Sequence, residues 1–332
     1  MRNRDLAKAK VLVTGAGGFI GSHLCEAALA RGAQVRAFVH YNSRNDWGML
    51  EDLNARQLRE IEVVTGDLRD SGAVRRAVQG CDIVFHLGAL IGIPYSYDNP
   101  ADVVATNVLG TLHVLQAALD AGIQRLVQTS TSEVYGTAQL VPMDEEHPLH
   151  PQSPYAASKV ASDKLAESYH RTYGLPVAIV RPFNCYGPRQ SPRAVIPTII
   201  TQALESSTVH LGSLEPRRDF TYVLDTVSGF LAAATAPGCA GETVQLGSAQ
   251  EVSVREIVRL VGSILGRKLR IVSEARRQRP ETSEVDRLLA ANHKAAELLR
   301  WHPRVSLAQG LQKTIEWFQS RRYRYKQNLY TV

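Results

Sequence analysis

Three glycines spaced three apart, Gly15, Gly18 and Gly21, stand between the apolar run Val11-Leu12-Val13 and a helix-forming stretch. In a strand–turn–helix unit the first glycine permits a tight bend, and the second lets a pyrophosphate approach the backbone. The third lets the helix pack on the strand with its N-terminus facing the phosphates. The spacing alone equally describes an ordinary tight turn; its position between strand and helix makes it a dinucleotide cradle, with Phe19 and Ile20 inside it. Residues 22 to 31 then read as a helix that stops at Gly32, a residue suited to a left-handed cap.

Short apolar runs recur along the first half of the chain. Residues 35–39, 61–64, 83–87, 126–129 and 177–180 read as strands, with helical patterns between them. That alternation predicts an α/β chain, a Rossmann-type doubly wound parallel sheet that binds ligands beyond the carboxyl ends of its strands. From residue 183 prolines 188, 192 and 197 break the pattern, and helices are expected at 196–206, 222–235, 253–265 and 307–320. The organisation expected is a dinucleotide-binding domain over 1–182 and a smaller α/β substrate-binding lobe over 183–332, ending in a basic tail.

Composition narrows the function classes. Of 332 residues 44% are hydrophobic and 21% charged, ordinary for a globular protein. No sequence run reaches the roughly 20 apolar residues of a membrane span, and Met1 to Lys10 has no signal-peptide core, so a cytoplasmic protein is expected. The four cysteines, Cys25, Cys81, Cys185 and Cys239, form no CxxC pair, which argues for reduced buried thiols and no metal site. The net charge of +6 is concentrated at Arg276–Arg279 and Arg321–Lys326 without any nucleic-acid-reading motif. An anionic small substrate accounts for the first cluster and a solvated tail for the second.

The chemistry-bearing segments are Ser130-Thr131-Ser132-Glu133-Val134-Tyr135-Gly136 and Tyr155-Ala156-Ala157-Ser158-Lys159. Tyr155 and Lys159, four apart on a helix, share a face, so an ammonium there can lower the phenol's pKa. Glu133 adds a second acid/base group that simple hydride transfer does not need; otherwise it caps the nearby loop. Asp67, in Gly66-Asp67-Leu68, is read as an adenine ligand or as a helix N-cap. After the second strand, where an acidic ribose ligand is usual, the chain reads Asn42-Ser43-Arg44; an Arg there accommodates a 2′-phosphate or lies on a solvated loop. NAD and NADP both stay open.

From Gly15 to Trp317 the chain resembles the extended short-chain dehydrogenases/reductases, in the nucleotide-sugar epimerase/dehydratase family. The anchors are TGAGGFIGSHL (14–24), GDLRD (66–70), NVLGTLHVLQAAL (107–119), STSEVYG (130–136), PYAASK (154–159), RPFNCYGPRQ (181–190), RRDFTYVLD (217–225) and LLRWHP (298–303). Thr131-Ser132-Glu133 is similar to the sequence of GDP-mannose 4,6-dehydratases, whereas 4-epimerases carry small, non-acidic residues there. The wider string looks closest to dehydratases of legionaminic-acid-type pathways.

The resemblance implies a 4,6-dehydratase with a tightly held NAD or NADP, regenerated each turnover, acting on a nucleotide-diphosphate hexose or N-acetylhexosamine. It implies that Tyr155, lowered by Lys159, takes the C4 hydroxyl proton while Thr131 binds the same oxygen, and that Glu133 removes the C5 proton. Ser132, where an Asp acid stands in other dehydratases, is a poor acid, so Glu133 or a water completes the second transfer. Leu68, Leu87 and Asn107 join the cofactor set; Asn184, Arg189, Arg218 and Arg279 are expected on the substrate, beside the loop 96–99. Glu145 is expected to be structural. A homodimer through helices at about 102–121 and 155–173 is implied too, although Val104, Val108, Leu112, Leu115, Val160 and Leu165 can face their own core instead. Other readings are a 4-epimerase, a 4-ketoreductase and a non-catalytic dinucleotide-binding protein.

Overall fold

The computed structural model describes residues 6–277 and 280–321. Its strands are β1 (Lys10–Thr14), β2 (Gln34–His40), β3 (Ile61–Gly66), β4 (Ile83–His86), β5 (Arg125–Thr129), β6 (Val177–Pro182), β7 (Asn184–Tyr186), β8 (Thr208–Leu211), β9 (Arg217–Tyr222), β10 (Thr243–Leu246), β11 (Glu251–Ser253) and β12 (Arg270–Ser273). Seven form one sheet in the order β10-β6-β5-β4-β1-β2-β3, every neighbouring pair parallel. Val11, Leu12 and Val13, and all of Ile83 to Phe85, are buried, as strands covered on both faces require.

The strand order reverses direction at β1, between β2 and β4, so the loops leaving β1 and β4 part there and open a crevice. Helix Phe19–Leu29 follows β1; it ends before the predicted residue 31, and Gly32 takes a left-handed φ of 78° beyond it. On the opposite face lie helix Pro154–Tyr173 and a helix running from Pro100 to Ala121, with a π turn at Ala105–Leu109. The latter spans 22 residues and is apolar enough to meet a membrane-span criterion by length and composition. It carries Asn107, Thr111 and His113, whose hydrogen bonds to Leu90, His86 and Leu68 tie it into the fold.

The second half of the chain contributes to both parts. Helix Val223–Thr235 packs against helix Phe19–Leu29, and β10 extends the main sheet beside β6. The lobe itself holds the sheet β11-β9-β7 and the parallel pair β12-β8, with Tyr186, Phe220 and Tyr222 meeting edge to face. The helices Val195–Glu205, Val223–Thr235, Val254–Ile264 and Leu307–Ser320 fall at their expected positions. Ser253 and Ser306 cap the last two with reciprocal capping boxes.

Candidate active site

The glycine turn is shaped for a dinucleotide. Gly15 has a φ of 67°, and a Cβ on it would lie 2.8 Å from the Gly88 nitrogen, so the loops after β1 and β4 touch here. A Cβ on Gly21 would stand 2.2 Å from the Gly15 carbonyl oxygen. The helix that begins at Phe19 has Gly18 as its N-cap, with no side chain capping its first turn. Its leading N–H groups, including those of Phe19 and Ile20, therefore point outward as a phosphate-binding terminus. These features fit NAD or NADP.

The rest of the expected cofactor set is distributed as follows. The Asp67 carboxylate takes a bidentate grip from Arg69, at 2.6 and 3.1 Å, which pulls its pKa down to about 2. It is not the cap of helix Ser71–Val78; Asp70 is, accepting from Gly72 and Ala73. Asn42 folds the loop after β2 on itself, donating to the Asp46 carbonyl at 2.6 Å and accepting from the Arg44 N–H. Arg44 is exposed and ion-paired with Asp46 at 3.4 Å, and Ser43 sits between Asn42 and Arg44. Leu68 is buried and Leu87 half-buried at the mouth of the crevice. Asn107 is buried, its amide donating to the Leu90 carbonyl and to Ser158 while its oxygen accepts the Leu90 N–H. That side chain joins the loop after β4 to helix Pro154–Tyr173.

Helix Pro154–Tyr173 starts with Ser153 accepting from the Ala156 N–H and with Pro154 in its first turn. Its buried face runs Tyr155, Ser158, Lys159, Ser162, Asp163, Ala166 and Tyr169, an i, i+3, i+4 stripe that is polar at its leading end. Thr131 precedes the turn Ser132–Tyr135 and hydrogen-bonds the Tyr155 hydroxyl. The charge of Glu133 also acts on that hydroxyl. Ser132, buried beside them, opens the turn.

The electrostatics correct one expectation. Burial raises the Tyr155 pKa, the Thr131 hydrogen bond opposes that rise, and the charges of Glu133 and Asp163 add to it. The net direction is upward, with burial the largest cause. Burial brings Lys159 itself down to about 8, against the opposing pull of Asp163, and its charge acts on His86, which burial and Lys159 depress to about 3. Two charged forms in one dry site each cost desolvation, and in this arrangement that cost exceeds their mutual help.

The substrate set divides. Asn184 has a buried Oδ1 with no protein hydrogen-bond partner, an acceptor left for a ligand. Arg218, nearly buried, reaches Glu284 at 3.3 Å and the Arg217 carbonyl at 3.1 Å. Arg189, with a left-handed φ of 68°, turns its guanidinium to helix Phe19–Leu29 and pairs with Glu26 at 2.8 Å. Arg279 lies outside the described residues. Residues 96–99 belong largely to helix Ile93–Asp98, where Ser96 is buried and donates to the Ile93 carbonyl. Glu145 accepts from the Gln245 N–H of β10 at 2.8 Å, a structural bond at the sheet edge. No cluster of three or more potential metal ligands occurs among the described residues.

Sequence reasoning passed over two buried charges, Asp163 and Arg181. Arg181 donates to Asp163 at 3.2 Å and to the Tyr135 hydroxyl at 2.9 Å, behind the helix face that carries Tyr155 and Lys159. The signal was the i+4 step from Lys159 to Asp163, which continues the face that Tyr155 and Lys159 share.

Comparison with known proteins agrees with this geometry. The family model described as GDP-mannose 4,6 dehydratase matches residues 12–314. A dTDP-glucose 4,6-dehydratase of Streptomyces antibioticus is 35% identical over 94% of this chain and 93% of its own length. A UDP-glucose 4-epimerase of Mycolicibacterium smegmatis is 34% identical over 94% of this chain and 99% of its own. The crystal structure of a dTDP-glucose 4,6-dehydratase double mutant from Streptomyces venezuelae, with NAD bound, superposes with a TM-score of 0.84 at 34% identity, covering 95% of this chain and 98% of that one. With its glycine cradle, its Thr131–Tyr155 pair and these relatives, the chain belongs to the GDP-mannose 4,6-dehydratase family, within the nucleotide-sugar dehydratases and epimerases of the extended short-chain dehydrogenase/reductase type.

Proposed function

We propose that the protein is a nucleotide-sugar 4,6-dehydratase, acting in the cytoplasm on a nucleotide-diphosphate hexose or N-acetylhexosamine to give a 4-keto-6-deoxy sugar. The observation that carries this reading is the carboxylate of Glu133 acting on the Tyr155 hydroxyl that Thr131 also binds. Oxidation at C4 needs one base, and elimination across C5–C6 needs a second; this site holds both. A nicotinamide cofactor held at the glycine turn Gly15, Gly18 and Gly21 would supply the two-electron acceptor and donor that oxidation at C4 and reduction at C6 require.

The chain's own residues do the rest. Thr131 orients the Tyr155 hydroxyl, and Tyr155 takes the C4 hydroxyl proton. A nicotinamide cation beside Tyr155 would offset the upward push of burial on the phenol. The C4 ketone acidifies the C5 proton, which Glu133 removes. The departing C6 hydroxyl needs a proton, and with Ser132 a poor acid, Glu133 hands on the one it took, so water leaves and the carboxylate is restored. Once C6 is reduced, C5 regains a proton from solvent by way of Glu133, and Tyr155 releases the C4 hydroxyl proton to solvent. Arg218, moved from Glu284, and the open acceptor of Asn184 hold the diphosphate and the sugar.

For the cofactor we favour NAD. The dTDP-glucose 4,6-dehydratase neighbour carries NAD, and Arg44 is engaged with Asp46. A homodimer is proposed through helices Pro100–Ala121 and Pro154–Tyr173, supported by the exposed Val104 and Leu109. The relative from M. smegmatis favours a second reading, 4-epimerisation, under which Glu133 has no proton to move. Incubation with UDP-, GDP-, dTDP- and CDP-sugars, followed by mass spectrometry, separates the two. A product lighter by one water supports dehydration, and an isomer of unchanged mass supports epimerisation.

A further inference from the structure

Gln152 stands immediately before Ser153, the cap of the helix that carries Tyr155. Its side-chain oxygen Oε1 accepts the Thr137 N–H at 2.6 Å. Its Nε2 donates to the carbonyls of Thr282 at 3.1 Å and Glu284 at 3.3 Å. Its own backbone carbonyl accepts the Ser283 hydroxyl at 2.6 Å. An amide offers two N–H donors and an acceptor oxygen, and here all of them meet backbone, so this half-buried side chain bridges two segments that do not pair directly at that point. Both segments bear on the site. Thr137 follows the turn Ser132–Tyr135, and the Gly136 N–H just before it donates to the Glu133 carbonyl at 3.3 Å. Gly136 has a left-handed φ of 66°, and a Cβ on it would lie 2.7 Å from Gln152 Oε1, so the turn is packed closely against Gln152. On the other side, the Glu284 carboxylate pairs with Arg218 at 3.3 Å. The residues after Glu284 run alongside the chain leaving the turn: the Asp286 N–H donates to Thr137 Oγ1 at 3.2 Å, and the Ala138 N–H to the Arg287 carbonyl at 3.2 Å.

We propose that Gln152 is a positioning residue for Glu133. It fixes the turn that carries Glu133 both to the start of the Tyr155 helix and to the lobe segment 282–287, so the second base and the substrate end of the lobe share one anchor. The proposal rests on the reading of Glu133 as the base for elimination. Tyr155 is placed by its own helix and by the Thr131 hydrogen bond. Loss of the Gln152 amide should therefore shift Glu133 relative to Tyr155 and leave the phenol where it is. A misplacement of about 1 Å at a reacting group is enough to slow its step by about a hundredfold. The bonds of Asp286 and Arg287 to the chain after the turn do not involve Gln152, so the lobe stays attached without it.

Two variants separate the contacts. Gln152→Glu keeps an acceptor for the Thr137 N–H but, as a carboxylate, offers no donor to Thr282 and Glu284. Gln152→Met keeps the length of the side chain and loses all of its hydrogen bonds. Hydrogen–deuterium exchange of the full-length protein, read by mass spectrometry without substrate, should quicken over residues 282–287 in both variants. Over residues 131–138 it should quicken in Gln152→Met, while helix Pro154–Tyr173 stays as protected as in the wild type. Unchanged exchange over 131–138 in Gln152→Met overturns the proposal, whatever reaction the protein catalyses. With a nucleotide sugar that the wild type dehydrates, Gln152→Met should oxidise C4 at close to the wild-type rate and eliminate water roughly ten- to a hundredfold more slowly. Reduced nicotinamide then accumulates in the first turnover. Oxidation and elimination slowed equally would reduce Gln152 to a general structural contact and overturn the proposal. A wild type that dehydrates none of the sugars defeats the dehydratase reading instead, and the exchange experiment then decides this one by itself.

Discussion

The carboxylate of Glu133 and the phenol of Tyr155 are electrostatically coupled: the negative charge of Glu133 raises the Tyr155 pKa beyond what burial alone does. The two groups proposed to move protons at C4 and C5 thus influence each other. Replacing Glu133 with Gln removes that charge and should lower the Tyr155 pKa, moving the acidic limb of the C4 oxidation to lower pH. Elimination should stop, so the near-ultraviolet absorbance of reduced nicotinamide should build up during substrate incubation. Full dehydratase activity in Glu133→Gln would show that the base lies elsewhere.

Tyr155→Phe removes the proton acceptor for the C4 hydroxyl. The rate of oxidation should fall by about two to four orders of magnitude, the usual range for a positioned acid/base group. Thr131→Ala takes away the one hydrogen bond that favours the phenolate and should produce a smaller loss, with the acidic limb displaced to higher pH. Stopped-flow measurement of the first turnover across pH distinguishes the two.

Gly21→Ala tests the cradle. A methyl group 2.2 Å from the Gly15 carbonyl oxygen forces the turn and the helix apart, at a cost of roughly 1–3 kcal/mol. The thermal midpoint should drop, and the increase on adding NAD should disappear. An undiminished NAD-dependent increase would place the phosphates away from this turn.

Stability should decline on the acid side because of two buried histidines. His86 is held near 3 by burial and Lys159; its Nδ1 meets Thr14 at 2.7 Å and its Nε2 meets Thr111 at 3.1 Å. His23 is held near 4, by burial first and Arg189 second. Both values lie below the unfolded one, so the unfolded chain binds protons that the folded chain refuses. Stability is therefore intact above about pH 6.5 and is lost as the pH falls from there toward 4 and 3, by about 1.4 kcal/mol per pH unit for each histidine. Urea denaturation at pH 7 and pH 5 measures this slope, and equal midpoints would contradict it.

The strands legible in the sequence are those that cross the buried centre of the sheet. β1, β4 and β5 are runs of apolar residues because both their faces are covered, and a buried strand has few other compositions open to it. β10 was not foreseen. Its four residues include Gln245, and its partner β6 lies some sixty positions earlier in the chain, a pairing no local pattern encodes. At the site, the pairing of Tyr155 with Lys159 was legible because helical spacing alone puts both on one face of a helix, and that face is buried. The direction taken by Arg189 was not, since it depends on one left-handed backbone angle and on Glu26 of a distant helix. The sign of the Tyr155 shift was missed for a related reason. Helical spacing shows that Lys159 is near, and only the packed interior shows what burial costs the phenolate.

Solvent deuterium addresses the central claim most directly. Reaction of the protein with its nucleotide sugar in D2O should give a product one water lighter than the substrate, carrying one solvent deuterium at C5 where Glu133 removed the proton. The same experiment with Glu133→Gln should give neither change. A sugar of unchanged composition with no deuterium at C5 would contradict the account and leave the site an epimerase.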